Sequence, residues 1–145
     1  WLVQRSGTLF VRRAVRSDAV RVNTLVSSLL QQGRAIALFP QGTSTTPAQA
    51  VHFHAPLWQS AIAANAVVQP VAIFYHDEQG ARHDAAAFVG DTTFVQSLWK
   101  IVCTPTLRVS VSYLPPMDAT GQDRRALAAS AQQAVNVRLA QHCQC

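Results

Sequence analysis

The stretch Ala35-Ile36-Ala37-Leu38-Phe39 has neither a polar residue nor any alternation, and Pro40 ends it. A short continuous apolar run of this kind suits a strand buried on both faces of a sheet, which requires elements packed above and below it. The residues before it fit that demand. Val22, Leu25, Val26, Leu29 and Leu30 recur at helical spacing, Ser17-Asp18 offers an N-cap and Gly33 a stop, so the spacing predicts an amphipathic helix feeding the run. Gly7 to Arg13 reads as an earlier strand.

The same alternation continues downstream. Ala55-Pro56 starts a second helix through about Asn65, with Pro at the first turn where its missing N–H is not needed. Val67 to Tyr75 reads as another buried strand, His76 to Gly80 as a turn, and Thr93 to Val102 as a helix with Phe94, Leu98 and Ile101 on one face. Leu107, Val109, Val111 and Tyr113 alternate with Arg108, Ser110 and Ser112, so this strand is expected to bury its apolar side and wet the other, ending at Pro115-Pro116. The Ala-rich stretch from Asp123 to about Gln141 closes the chain as a helix, with Leu127, Ala131 and Ala134 or Val135 inward. Strands alternating with helices predict an α/β domain with a mixed, largely parallel sheet flanked by helices.

With 145 residues and 49% hydrophobic content, the chain can bury a core as a single domain spanning residues 1–145. It opens on Trp1 with no signal pattern, which is read as truncation at the N-terminus. No apolar run reaches the roughly 18 to 20 residues that cross a bilayer. Arg5, Arg12, Arg13, Arg16, Arg21 and Arg34 fall in the first quarter, where Asp18 is the only acid. That bias suits an anionic partner, or else forms a solvated face. Nucleic acid is excluded as the partner because no exposed aromatics interleave the arginines and no recognition motif appears. Cys103, Cys143 and Cys145 lack the paired spacing of zinc or redox sites, so neither metal nor cofactor is expected.

Pro40-Gln41-Gly42-Thr43 leads from the apolar run into a loop rich in hydroxyl groups. Such an exit can present backbone N–H groups to a phosphate or oxyanion, Gly42 allowing close approach and Thr43 adding a donor; ordinary strand exits use the same residues. No Walker loop and no Gly-x-Ser-x-Gly elbow is present. Arg13, at the end of the first strand candidate, can bring a planar, permanently charged fork to the same crevice, while Arg12 points to the opposite face.

Together these segments resemble the glycerolphosphate acyltransferase superfamily, in particular 1-acyl-glycerol-3-phosphate acyltransferases and their ornithine-lipid-forming relatives. Gly7-x-x-Phe10-x-x-Arg13 is similar to the family's acceptor-phosphate block, Phe39-Pro40-Gln41-Gly42-Thr43 to its Phe-Pro-Glu-Gly-Thr block, and Val68 to Ile73 to its Val-Pro-Val-Ala strand. Phe53-His54-Ala55-Pro56 stands where many members have Phe-Lys-x-Gly. The resemblance implies a phosphate site at Arg13, Gln41, Gly42 and Thr43 and an acyl or acceptor pocket at Phe10, Pro40, Pro70 and Val71. It implies fatty acyl transfer from acyl-CoA or acyl-carrier protein, as co-substrate, to the sn-2 hydroxyl of 1-acyl-glycerol-3-phosphate in phospholipid biosynthesis. The partners are then a lysophospholipid, the acyl donor and an anionic membrane surface, with the protein peripheral on the cytoplasmic face of the inner membrane and anchored through preceding residues.

Two departures stand out. Gln41 keeps the size of the usual Glu without its charge. The family's His-x4-Asp pair, which supplies the general base, has no counterpart, since no His here has an Asp five residues later; the chain alone is therefore expected to be inert. His52 and His54 do not replace the pair: no nucleophile or carboxylate is suitably near in sequence, and a His-x-His metal site lacks further ligands. His76 and His83, beside Asp77 and Asp84, read as solvated loops. Two other functions fit the same residues: acylation of lyso-ornithine lipid, and a non-catalytic domain that binds anionic lipid surfaces.

Overall fold

The computed structural model describes residues 16–41, 52–81, 83–86 and 92–142. Helix α1 (Arg16–Gln31) forms on the predicted stretch, and Gly33 stops it at φ +76°. There Gly33 N–H donates to the Leu30 carbonyl (2.9 Å) and Arg34 N–H to that of Leu29 (3.1 Å), the paired bonds of a Schellman cap. The second predicted helix is a 3₁₀ turn at Ala55–Trp58 followed by α2 (Gln59–Ala63). Asn65, at φ +49°, closes it, with Ala66 N–H on the Ala61 carbonyl at 2.9 Å. Asn tolerates this left-handed conformation better than most residues. The Asn23 amide donates to the Pro56 carbonyl (2.9 Å) and ties α1 to this unit.

The predicted parallel sheet is not what the described residues form. Strand β1 (Val67–Val68) pairs antiparallel with β4 (Met117–Asp118), and β2 (Val71–His76) pairs antiparallel with β3 (Arg108–Tyr113). Ala35–Phe39, expected as a buried central strand, is neither strand nor buried; Phe39 is 76% exposed. The parallel expectation rested on counting alternating elements, and an apolar run alone does not specify a pairing partner. The earlier strand candidate, Gly7 to Arg13, lies outside the described residues.

The two ladders are one long ribbon with a fault. Val68 faces Met117 and Val71 faces Tyr113, so Gln69-Pro70 opposes Leu114-Pro115-Pro116, which has one residue more. An extra residue on one strand is a bulge, and the two prolines, lacking N–H groups, suit the place where the ladder breaks. Pro115-Pro116 therefore interrupts the strand pairing, which resumes at Met117. The Pro70 carbonyl accepts Leu114 N–H (3.0 Å), and the Gln69 amide donates to the Leu114 carbonyl.

The buried face of this ribbon is the reverse of the one expected. Val109, Val111 and Tyr113 are exposed, as are their cross-strand partners Tyr75, Ile73 and Val71. Ser110 and Ser112 turn inward with Ala72, Phe74 and His76. The reason is helix α4 (Arg124–His142), whose Leu127, Ala128, Ala131 and Val135 form the core with Ala72, Ala119, Phe53 and Trp58. Small residues on both sides let an Ala-rich helix approach the ribbon closely. The serine hydroxyls find partners there: Ser112 accepts from Arg138 Nε (3.2 Å), and Ser110 meets His76 Nε2 (2.8 Å). His76, read as a loop residue, is thus half-buried at a strand end.

Helix α3 (Phe94–Val102) begins with a capping box. The Thr93 hydroxyl accepts Gln96 N–H (3.3 Å), and the Gln96 side chain accepts Thr93 N–H (2.9 Å). Its buried residue is Ser97; Phe94, Val95, Leu98, Trp99, Ile101 and Val102 are all exposed. Among the described residues no helix is long and apolar enough to cross a membrane.

Candidate functional site

Of the residues assigned to the phosphate site, Gln41 is described and half-buried; Arg13, Gly42 and Thr43 lie outside the described residues. In the acyl or acceptor set, Phe10 also lies outside. Pro40 is half-buried, Pro70 is buried and Val71 is exposed on the bare face of the ribbon. Pro40 and Pro70 bond to different neighbours, His54 N–H (3.0 Å) for the Pro40 carbonyl and Leu114 for that of Pro70.

The bond from His54 has a consequence for the site. It lays Phe53-His54-Ala55-Pro56, where the resemblance expects Phe-Lys-x-Gly, alongside Phe39-Pro40-Gln41. Phe53 fixes this segment from below: it is buried, stacks on Trp58 with ring centroids 6.0 Å apart, and its N–H donates to Gln132 Oε1 of α4 at 2.9 Å. His52 and His54 meet edge to face with centroids 5.3 Å apart, as residues two apart do on one side of an extended backbone, the conformation His54 adopts.

Between this segment and the first turns of α4 lies a cleft of about 450 Å³, lined among others by His52, His54, Arg124, Arg125 and Gln132. Sequence reasoning missed the two arginines. The signal was there: two cations in the first turn of a helix oppose its macrodipole, which favours negative charge at that end. Asp123 answers the dipole instead. Its carboxylate accepts N–H bonds from Arg125 (2.8 Å) and Ala126 (3.2 Å), and these bonds, with the charges of the two arginines, hold it below the usual carboxylate range. Asp118 is lowered in the same way by the hydroxyl and N–H of Thr120.

Among the described residues no group of three His, Cys, Asp or Glu could hold a metal ion. What the described arrangement offers chemically is two guanidinium groups and two imidazoles around one cleft beside the Phe39–Gln41 segment.

A family model described as Acyltransferase matches residues 1–74, which contain all three segments of the resemblance. A lyso-ornithine lipid O-acyltransferase of Pseudomonas aeruginosa is 37% identical over 139 residues, 96% of this chain and 53% of its own length. A 1-acyl-sn-glycerol-3-phosphate acyltransferase of Neisseria gonorrhoeae is 35% identical over 125 residues, 86% of this chain and 49% of its own. A second lyso-ornithine lipid O-acyltransferase, of Rhodobacter capsulatus, is 27% identical over 147 residues. The chain thus spans about half the length of these relatives. No solved structure matches it. With just over half its residues under the family model and nearly all of them aligned to an acyltransferase at 37% identity, the chain belongs to the acyltransferase family, within the glycerolphosphate acyltransferase superfamily.

Proposed function

We propose that the protein carrying these 145 residues transfers a fatty acyl group from acyl-CoA or acyl-carrier protein to the free hydroxyl of a lysolipid, with 1-acyl-glycerol-3-phosphate as acceptor. The observation that carries this reading is the order Gly7…Arg13, Phe39…Thr43, Val68…Ile73 inside the residues that the family model matches. A general base takes the proton of the acceptor hydroxyl as its oxygen attacks the thioester carbonyl. The C–S bond then breaks and the leaving thiolate takes up a proton. Arg13 holds the acceptor phosphate as a bidentate fork. Gln41, Gly42 and Thr43 complete the polar wall, and Phe10, Pro40, Pro70 and Val71 lie toward the acyl chain.

The base is not among these residues, so the chain alone is inert: loss of a positioned general base costs about 10²- to 10⁴-fold. The complete polypeptide is the form to assay. Thiol release from acyl-CoA, dependent on lysophosphatidate, supports the reading; no release with either lysophosphatidate or lyso-ornithine lipid contradicts it and leaves an anion- or lipid-surface-binding protein.

Lyso-ornithine lipid is the second acceptor reading, favoured by the similarity to the Pseudomonas enzyme across nearly the whole chain. Its head group carries no phosphate, so Arg13 would meet a carboxylate instead. We place the protein peripherally on the cytoplasmic membrane. Exposed Leu98, Trp99 and Ile101 on α3, with Lys100 among them, have the composition of a helix that rests in a lipid interface.

A further inference from the structure

The cleft between His52–Pro56 and the start of α4 has walls from two distant parts of the chain, joined by the bond from Phe53 N–H to Gln132. Both walls bring nitrogen groups to it: the imidazoles of His52 and His54 from one, the permanently charged guanidinium groups of Arg124 and Arg125 from the other. Both arginines are exposed, so their positions serve no core packing. Placing them in the first turn of a 19-residue helix adds full positive charges to the partial charge of the helix end, an arrangement that opposes helix stability and concentrates positive potential. Asp123 sets one negative charge beside them, with Oδ1 taken up by two backbone N–H groups, so two guanidinium groups against one carboxylate leave the helix end net positive. The volume, about 450 Å³, is that of a small-molecule site. Its rim adjoins Pro40, whose carbonyl holds His54 N–H at 3.0 Å.

We propose that this cleft binds a phosphate ester, with Arg124 and Arg125 as its charged donors and His52 and His54 opposite them. Guanidinium forks match phosphate oxygens in pairs, and small Ala128 and Ala129 leave room between the walls. Within the acyl-transfer reading, on which the choice of source rests, the ester belongs either to the nucleotide part of the donor or to the acceptor head group.

The test measures binding to the complete protein by calorimetry at low salt, with four probes: CoA, pantetheine, glycerol 3-phosphate and glycerol. The proposal predicts that CoA or glycerol 3-phosphate binds and its phosphate-free counterpart does not. The pair Arg124→Gln and Arg125→Gln weakens that binding by ~10-fold or more, the scale of two lost charge-assisted bonds. Arg124→Lys with Arg125→Lys restores part of it. The pair Arg108→Gln and Arg138→Gln, an equal charge change elsewhere, stays within about twofold. Loss for CoA alone assigns the cleft to the donor, and loss for glycerol 3-phosphate alone to the acceptor. Unchanged binding in the Arg124/Arg125 variant, equal weakening by the control pair, or no binding of either phosphate ester overturns the proposal. Acyl transfer is assayed separately. Transfer without phosphate binding here removes the cleft and keeps the enzyme; binding here without transfer does the reverse.

Discussion

The role proposed for Arg13 and the bonding of Asp123 rest on the same physics, a charge placed against oriented donors or acceptors. Replacing Arg13 by Ala in the complete protein lowers kcat/KM for lysophosphatidate by about 10- to 100-fold, the scale of one or two charge-assisted hydrogen bonds. The loss is selective if the acceptor phosphate is its partner. An equal, small loss on lysophosphatidate and on lyso-ornithine lipid would remove that role. Asp123 bears on stability. Because its folded-state pKa is depressed, its stabilising contribution is complete above the ordinary carboxylate range and is lost as pH falls from that range through the lower folded-state value. Thermal melts of Asp123→Ala against the parent should therefore differ near neutral pH and converge in acid; a difference that persists at low pH refutes the assignment.

At the scale of elements, what was legible depended on whether the signal was local. The Gly33 stop and the inward positions Leu127, Ala131 and Val135 are written within a turn or two of chain, and each appears in the structure as predicted; the Thr93-x-x-Gln96 capping box is equally local but went unread. Strand pairing and facing are not local. Alternation in 107–113 marked a two-faced strand correctly but could not say that Ser110 and Ser112 would face an Ala-rich helix and be satisfied by His76 and Arg138. Arg124 and Arg125 carried a local signal, two cations in the first turn of a helix, but only the fold brings them to His52 and His54. Two variants test this scale. Thr93→Ala removes the α3 cap and costs about 1 kcal/mol in denaturant unfolding. Leu127→Ala, at a fully buried position, costs about 2–5 kcal/mol. A cost for Leu127→Ala below that of the cap variant would mean that α4 is not packed as described.

At the scale of the whole molecule, two kinds of surface bear on the proposed membrane location. One is charge: a formal net +5, weighted toward the first quarter of the sequence, favours anionic lipid and is screened by salt. The other is apolar: the outer residues of α3 and the bare face of the β2–β3 ribbon. Sedimentation with vesicles of phosphatidylglycerol should show binding that falls as salt rises, and Leu98→Ser with Trp99→Ser should weaken it by ~10-fold or more through lost apolar burial. Binding that ignores both salt and these residues argues against an interfacial location. The central claim, however, is acyl transfer to a lysolipid, and its most direct measurement is thiol release by the complete polypeptide with acyl-CoA or acyl-carrier protein as donor and lysophosphatidate or lyso-ornithine lipid as acceptor. An acyltransferase gives acceptor-dependent release that falls when Arg13 is replaced by Ala; release that needs no acceptor, or none with any of these pairs, rules acyl transfer to a lysolipid out.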